Sequence, residues 1–420
     1  MFRIYYKQAI EMLKQNRFIS AIAVIGTALA IMMIMAIIVS DNIKSISMGA
    51  EPNRDRTYYV PSMVLRDTVR QGWSSGGISY ELYKDYLSDL QTPEYATISR
   101  SRSALVCREG SQDIITLERR TTEADYWKIY SFRFVEGKPW EEEVMLSGMK
   151  YAILSESTAQ KLFKGEKALG QVILIGFVPY RVTGIVKDVS KIYDMAYADL
   201  WIPHTSMDDY QRGGIERLVL TLKDNKDLPD LNREIRENEK KYGTVHKNMM
   251  LTFRGPASHA DYQVTGWASD NEDAAAKIQI ARRKSLFIFL VLLLVPAINL
   301  SGLSLSRMKK RTEEIGVRKA FGAKRHIILI QVLFENLITS LLGGIIGLLL
   351  SFAVLYRMKH WLLDVPQDSF IPLNALITWP VLIAVVVVCI LLNLLSAGIP
   401  AYRASRMNII NSLNQNDKKG

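Results

Sequence analysis

The stretch Arg307-Met-Lys-Lys-Arg-Thr-Glu-Glu-Ile-Gly-Val-Arg-Lys-Ala-Phe-Gly-Ala-Lys-Arg-His326 decides the architecture, because it is strongly basic and lies between two long apolar runs. A segment so placed must lie at a membrane surface. Its residue order predicts a short helix. Thr312 is placed to cap it, Glu313 and Glu314 fill the first turn, Arg318 and Lys319 fill the last, and Gly322 is placed to end it. Acids at the positive end of the helix macrodipole and bases at the negative end both stabilise such a helix. Val317, Ala320 and Phe321 recur at helical spacing and form a small apolar face. An amphipathic helix between two membrane spans is a natural contact surface for a cytoplasmic partner.

The runs on either side extend the reading to the whole chain. Of 420 residues 49% are hydrophobic and 23% charged, so the apolar residues must be segregated. Phe18–Val39, Ser285–Ser306 and Ala375–Ile399 contain no charge, and Ile327–Leu355 contains only Glu335. Each is long enough, at about 1.5 Å per residue, to cross a hydrocarbon core of about 30 Å. Four transmembrane helices follow, since buried helices of a water-soluble protein rarely stay uncharged on every face. The first run is too long for the apolar part of a signal peptide. Val39-Ser40-Asp41-Asn42 also lacks a small-x-small cleavage site, so the run is expected to stay as an anchor.

Charge sets the orientation. Residues 1–17, 306–326 and 399–420 together carry 16 Lys/Arg and 4 acids, which leaves 37 bases and 38 acids for the rest of the chain. The whole excess of +11 thus sits on one side of a four-span arrangement. The positive-inside rule makes that side cytoplasmic, with both termini inside. Arg282-Arg283-Lys284 pulls the other way but is outweighed by the eight bases after the second span. Topology therefore accounts for the basic excess, and no nucleic-acid partner is implied.

The expected domains are a cytoplasmic segment 1–17, spans at 18–39, 285–306, 327–355 and 375–399, and an external domain at 40–284. A coupling helix at 307–326, a short external loop at 356–374 and a cytoplasmic tail at 400–420 complete the chain. The external domain is long enough for its own core and for two lobes. Tyr151–Glu156 reads as a buried strand, and Val172–Ile175 with Arg181–Lys187 as a hairpin about the loop Gly176–Tyr180. Ser157–Lys164 suits a helix and Leu218–Leu222 a strand. Pro229–Tyr242 reads as an amphipathic helix with Gly243 just past its end. Strands interleaved with helices make this domain α+β.

From Ser269 no helix breaker intervenes before Pro296, so one helix is expected to run from about 270 to 306, with Pro296 placed to kink it. The first span is expected to continue to Gly49, before Pro52, and the two extensions would form a stalk. Gly26 and Ala30 in the first span, and Gly343, Gly344 and Gly347 in the third, are candidate close-packing positions. Glu335 is costly inside a membrane and is a candidate structural or coupling residue.

Four stretches resemble the permease subunits of the MacB/FtsX superfamily of ABC transporters. Glu313–Lys324 is similar to that family's cytoplasmic coupling segment. Gln331–Gly344 is similar to the start of its third span, with Glu335 and Gly343-Gly344 in the family's places. Pro400–Asn408 resembles the motif closing the last span, with Ile409-Ile410 where Pro-Ile is more usual. Ile153–Phe163 with Gly170, and Val182–Asp188, resemble a MacB-type periplasmic core domain.

The resemblance implies an inner-membrane permease with its large domain in the periplasm. Two such permeases, as a homo- or heterodimer, would dock on separate ATPase subunits, and stalks would carry the ATP-driven motion outward. The implied coupling helix comprises Glu313, Glu314, Ile315, Val317, Arg318, Lys319, Ala320, Phe321 and Gly322; Val317, Ala320 and Phe321 would insert into a groove of the ATPase, with Arg318 and Lys319 meeting acidic groups there. A periplasmic adaptor and an outer-membrane channel are further implied partners, alongside membrane lipids. MacB-like efflux is the leading function. Lipoprotein release and FtsX-like activation of a cell-wall hydrolase are the alternatives, the second disfavoured by the 245-residue external domain. No ATPase domain is expected to be fused to the chain.

No catalytic or metal site is expected. There is no G-x-x-x-x-G-K-[ST], G-x-S-x-G or H-E-x-x-H, and Gly165–Gly170 lacks the phosphate-loop spacing. ATP and Mg would be bound by the partner ATPase, with no cofactor on this chain. The five histidines are scattered, and Cys107 and Cys389 fall on opposite sides of the water–lipid boundary, so no disulfide is expected.

Overall fold

The structure, a computed structural model, describes residues 11, 17–45, 47, 49–207, 216–266, 271–310, 312–322, 324–363 and 379–406. Most of the expected terminal segments 1–17 and 400–420, Ser269 as a helix cap, most of the loop 356–374, and Ile409-Ile410 lie outside the described residues. The chain divides into two units. One comprises Met1–Ile43, Arg282–Leu362 and Phe370–Gly420, the other Lys44–Ala281 and Leu363–Ser369.

The first unit is built from long helices. These are Arg17–Ser45, Asn271–Lys310, Arg325–Leu363 and Trp379–Arg406, of 29, 40, 39 and 28 residues. All four are long and apolar enough to cross a membrane. Leu290, Ile298, Ile345, Leu349 and Ile383 stand exposed on their outer faces, where the helices of a water-soluble bundle would carry polar residues. Three boundaries differ from the sequence reading. The first helix stops at Ser45, short of Gly49, whose φ of 57° lies outside any helix. Residues 307–310 finish the second long helix rather than begin the short one. The fourth helix passes through Pro400 and ends at Arg406. A proline in a helix removes one backbone bond, and Ala401, Arg403 and Ala404 are good helix formers that carry the helix on.

Glycines in the third long helix set how closely its neighbours approach. A Cβ on Gly347 would stand 2.5 Å from the Ala28 carbonyl oxygen, and one on Gly343 would stand 2.7 Å from Thr27 Cβ. A Cβ on Gly344 would stand 2.5 Å from Cys389 Sγ of the fourth helix. The partner face of the first helix therefore includes Thr27, Ala28 and Ile31, all buried. Ala30 is also buried, but Gly26 is exposed and, among the described residues, has nothing within 4 Å of a Cβ placed on it, so within this chain it packs against none of them. Its spacing from Ala30 is right, but the face it occupies is not the one turned inward.

The second unit holds thirteen strands among the described residues. In chain order they are β1 Thr57–Val60, β2 Ser62–Asp67, β3 Trp73–Gly76, β4 Tyr95–Arg108, β5 Ile115–Thr122, β6 Phe134–Gly137 and β7 Tyr151–Ser155. Then come β8 Val172–Ile175, β9 Val178–Val186, β10 Leu200–Pro203, β11 Arg217–Thr221, β12 Met249–Arg254 and β13 Ala257–Ser258. Ten form one mixed sheet in the order β13-β1-β11-β4-β5-β10-β7-β9-β6, with β8 against β4 and β9. The other three form a small sheet, β12-β2-β3.

The large sheet is covered on both faces, and its strands show it. Val219 enters a core with Tyr59, Tyr126 and Trp201, while Leu218 and Leu220 enter another with Ile98, Leu231 and Phe253. Likewise Ile153 and Val186 face the first core, whereas Ala152, Leu154, Val182 and Ile185 face a third with Phe163. Alternate side chains point to opposite faces of a strand, so burial of both faces yields unbroken apolar runs. The expected two lobes are instead one unit, because the fourteen-residue β4 pairs with β11 through its first part and with β5 and β8 through the remainder.

Two local readings are corrected. The hairpin loop is only Gly176-Phe177, with φ of 57° and 67°. Both values are positive, as in the two-residue turn that matches strand twist, so the strand resumes at Val178. The amphipathic helix spans Leu228–Val245 and takes in Gly243. Cys107 and Cys389 are both buried and free.

The entry into this unit is fastened by a buried ion pair. Arg54 Nε donates to Glu51 Oε2 at 2.6 Å, with both side chains almost fully enclosed. Glu51 Oε1 accepts from the Met195 and Ala196 amides, each at 3.0 Å, and Arg54 Nη2 donates to the Ile192 carbonyl at 2.6 Å. A charge removed from water needs such complete pairing. Burial raises the Glu51 pKa, opposed by Arg54 and the two amides.

Candidate functional site

Between the second and third long helices stands the helix Thr312–Ala320. Thr312 is its first residue rather than the cap before it. Phe321 N–H donates to the Val317 carbonyl at 3.1 Å, and Gly322 follows with φ of 88°. A left-handed residue just past the last turn suits glycine and stops the helix.

Its two faces differ sharply. Ile315 and Gly316 are buried, and Ile315 packs with Ile328 and Met308. Ile315 is therefore the residue that anchors the helix to the rest of the unit. On the other face Val317 is 45% exposed and Phe321 is 88% exposed, with Ala320 also open. Burying an aromatic side chain is worth roughly 1.5–3 kcal/mol, a gain that Phe321 does not realise within this chain. The side chains of Glu313, Glu314 and Lys319 lie outside the described residues.

Arg318 does not project toward a partner's acids. It is half-buried, and its Nη1 donates to Gln331 Oε1 at 2.7 Å. Gln331 Nε2 in turn donates to Glu335 Oε1 at 3.1 Å. Gln331 and Glu335 are 7% and 3% exposed, so the pair is satisfied inside the unit rather than by water. A cavity of about 20 Å³ lies among Met308, Ile315, Arg318, Ile328, Gln331 and Val332. Glu335 is thus joined through one glutamine to the short helix.

Gln331 is the residue that motif reading passed over as a site. Its signal was present: it and Glu335 are one helical turn apart in a run that carries no other charge. Further along, Asn393 Nδ2 donates to the Leu333 carbonyl at 3.0 Å and Cys389 Sγ to the Ser340 carbonyl at 3.5 Å, tying the fourth helix to the third. Among the described residues no group of three or more His, Cys, Asp or Glu side chains is placed to hold a metal ion.

Comparison with known proteins bears on both units. A model of the MacB-like periplasmic core domain matches residues 20–238, and a model of the FtsX-like permease C-terminal region matches residues 286–409. The macrolide export ATP-binding/permease protein MacB of Chromobacterium violaceum is 26% identical over 334 residues, covering 77% of this chain and 46% of that one. Its counterpart in Salmonella paratyphi A is 26% identical over 276 residues, covering 64% and 39%. This chain therefore spans less than half the length of these relatives. The crystal structure of the periplasmic region of MacB from Actinobacillus actinomycetemcomitans aligns with a TM-score of 0.35 at 15% identity, over 50% of this chain and 94% of that one. With the core-domain match alone covering more than half of the 420 residues, and the permease match covering the last three long helices, the chain belongs to the MacB/FtsX family of ABC permeases.

Proposed function

We propose that this chain is the permease subunit of an ABC transporter of the MacB type, which passes the motion of a separate ATPase to its large domain and so extrudes a substrate. Family membership supports the reading, and one observation carries it. Phe321, 88% exposed, and Val317 project from a helix whose other side is fixed by Ile315 and Arg318. A rigidly held aromatic contact loses little conformational entropy when it docks. On this reading the Phe321 face sits in the cytoplasm and the 44–281 unit in the periplasm, as the charge distribution favours. ATP and Mg belong to the ATPase, and a second permease completes the dimer. Closure of the ATPase pair would push on the short helices, and the long helices would carry the push outward. The relatives bear the name macrolide export protein; here the cargo is proposed only as a substrate released on the outer side.

Phe321→Asp is the direct test. Placing a charge at a desolvated aromatic anchor typically costs several kcal/mol, so affinity for the ATPase should fall roughly 100-fold or more. Co-purification of the ATPase from native membranes should be lost while the permease stays monodisperse. Undiminished co-purification would remove this contact from the account.

A further inference from the structure

We infer that Gln331 is a positioning residue: it locks the short helix to the third long helix, making their junction a rigid joint rather than a loose hinge. The inference rests on the reading of this helix as the ATPase contact, since only then does its rigidity carry force.

Two hydrogen bonds on one side chain make the case. The amide oxygen of Gln331 accepts from Arg318 at 2.7 Å and its amide nitrogen donates to Glu335 at 3.1 Å. A glutamine has one acceptor and one donor end, and here both ends are used, one on each element. Among the described residues Ile315 supplies a small apolar contact, with Ile328 and Met308. A contact of that size does not fix orientation, because apolar packing is non-directional, whereas hydrogen bonds to charged groups fix both angle and distance.

The third helix then extends the lock. From Gln331 to Gly347 is 16 residues, or about 24 Å at 1.5 Å per residue. At that end Gly343, Gly344 and Gly347 seat the helix against the first and fourth helices with no room for a side chain. A helix gripped by a polar bond at one end and by backbone contact at the other moves as a piece. Displacement of the short helix must therefore be passed to the third helix as a whole.

The joint can be tested on the full chain alone in nanodiscs, without an ATPase. A nitroxide label on Phe321→Cys reports the mobility of the short helix, and the native Cys107 and Cys389 are both buried. Gln331→Leu should raise the ratio of mobile to immobile spectral component roughly tenfold, the effect of losing one hydrogen bond to a charged group. Glu335→Gln keeps an acceptor for the Gln331 amide and should leave the ratio unchanged, as should Arg318→Lys. Should Gln331→Leu fold poorly, Arg318→Met breaks the same chain from its half-buried end and should give the same rise. The Arg318→Met, Gln331→Leu double variant should be no more mobile than either single one. An unchanged spectrum in Gln331→Leu or Arg318→Met, or additive effects in the double variant, would overturn the joint. Loss or retention of the ATPase in Phe321→Asp pull-downs bears on docking only, so the two readings fail separately.

Discussion

Gly347→Val will destabilise the four-helix unit by at least about 3 kcal/mol, the largest effect expected of a single substitution in it. The new side chain begins 2.5 Å from the Ala28 carbonyl oxygen and 3.0 Å from Ile31 Cβ. The nearest obstacle is backbone, so no rotamer change relieves it, and the first and third helices must part. Their separation also forfeits the fit of Gly343 on Thr27. Gly26→Ala is the matched control. It has open space and should gain up to about 1 kcal/mol from the better helix propensity of alanine. Unfolding of the purified chain in mixed micelles on SDS titration separates the two. Equal midpoints for Gly347→Val and Gly26→Ala would show that the helices do not meet where the glycines place them.

In the 44–281 unit the largest expected effect is a pH-dependent one. Glu123 follows β5, its side chain is 9% exposed, and its carboxyl lies 3.7 Å from Lys84 Nζ. Burial raises its pKa to about 7, opposed by Lys84 and Tyr80 and reinforced by Glu142 and Asp125. The unfolded chain releases this proton near 4.5, so between the two values the folded state binds more protons than the unfolded one. The contribution of Glu123 to stability is therefore full below about 4.5 and lost as pH rises through 7. A difference of about 2.5 units corresponds to about 3 kcal/mol. Glu123→Gln should consequently be about 3 kcal/mol more stable than the parent at pH 8, a rise of roughly 6–12 °C in Tm for a domain of this size, and equal to it at pH 4. Melting curves of the full chain at the two pH values decide the matter. An offset that does not change between them would mean that Glu123 does not titrate against folding.

Much of this arrangement is legible in the sequence, and the rest is hidden for identifiable reasons. The four apolar helices announce themselves because a membrane crossing demands some twenty residues without charge, and only Glu335 interrupts the four runs. The strands were harder to delimit. Leu200-Trp-Ile202 is buried on both faces and shows no alternation at all, so periodicity gave no reason to expect β10. Gly26 and Gly347 look alike in sequence, each one turn from another small residue. Only the assembled helices reveal that Gly347 meets Ala28 and that Gly26 meets nothing among the described residues.

The short helix is the most instructive element. Its composition points to the Val317–Phe321 face, which is exposed, and sends Arg318 toward a partner's acids, whereas the structure bonds Arg318 to Gln331. A helix of nine residues has too few turns for its apolar positions to say which side the rest of the chain will take. The sequence shows Gln331 one turn from Glu335, but its bond to Arg318, thirteen residues away in sequence and 2.7 Å away in space, is visible only in the structure.

Everything in the proposed mechanism depends on which side of the membrane Phe321 faces. Single cysteines at Phe321, 88% exposed, and at Leu146, 82% exposed in the 44–281 unit, can be probed in intact cells with a membrane-impermeant maleimide. The expected result is labelling of Leu146→Cys from outside, and of Phe321→Cys only after the inner face is opened. Labelling of Phe321→Cys from outside, with Leu146→Cys protected, would place the short helix beyond the reach of any cytoplasmic ATPase and contradict the account.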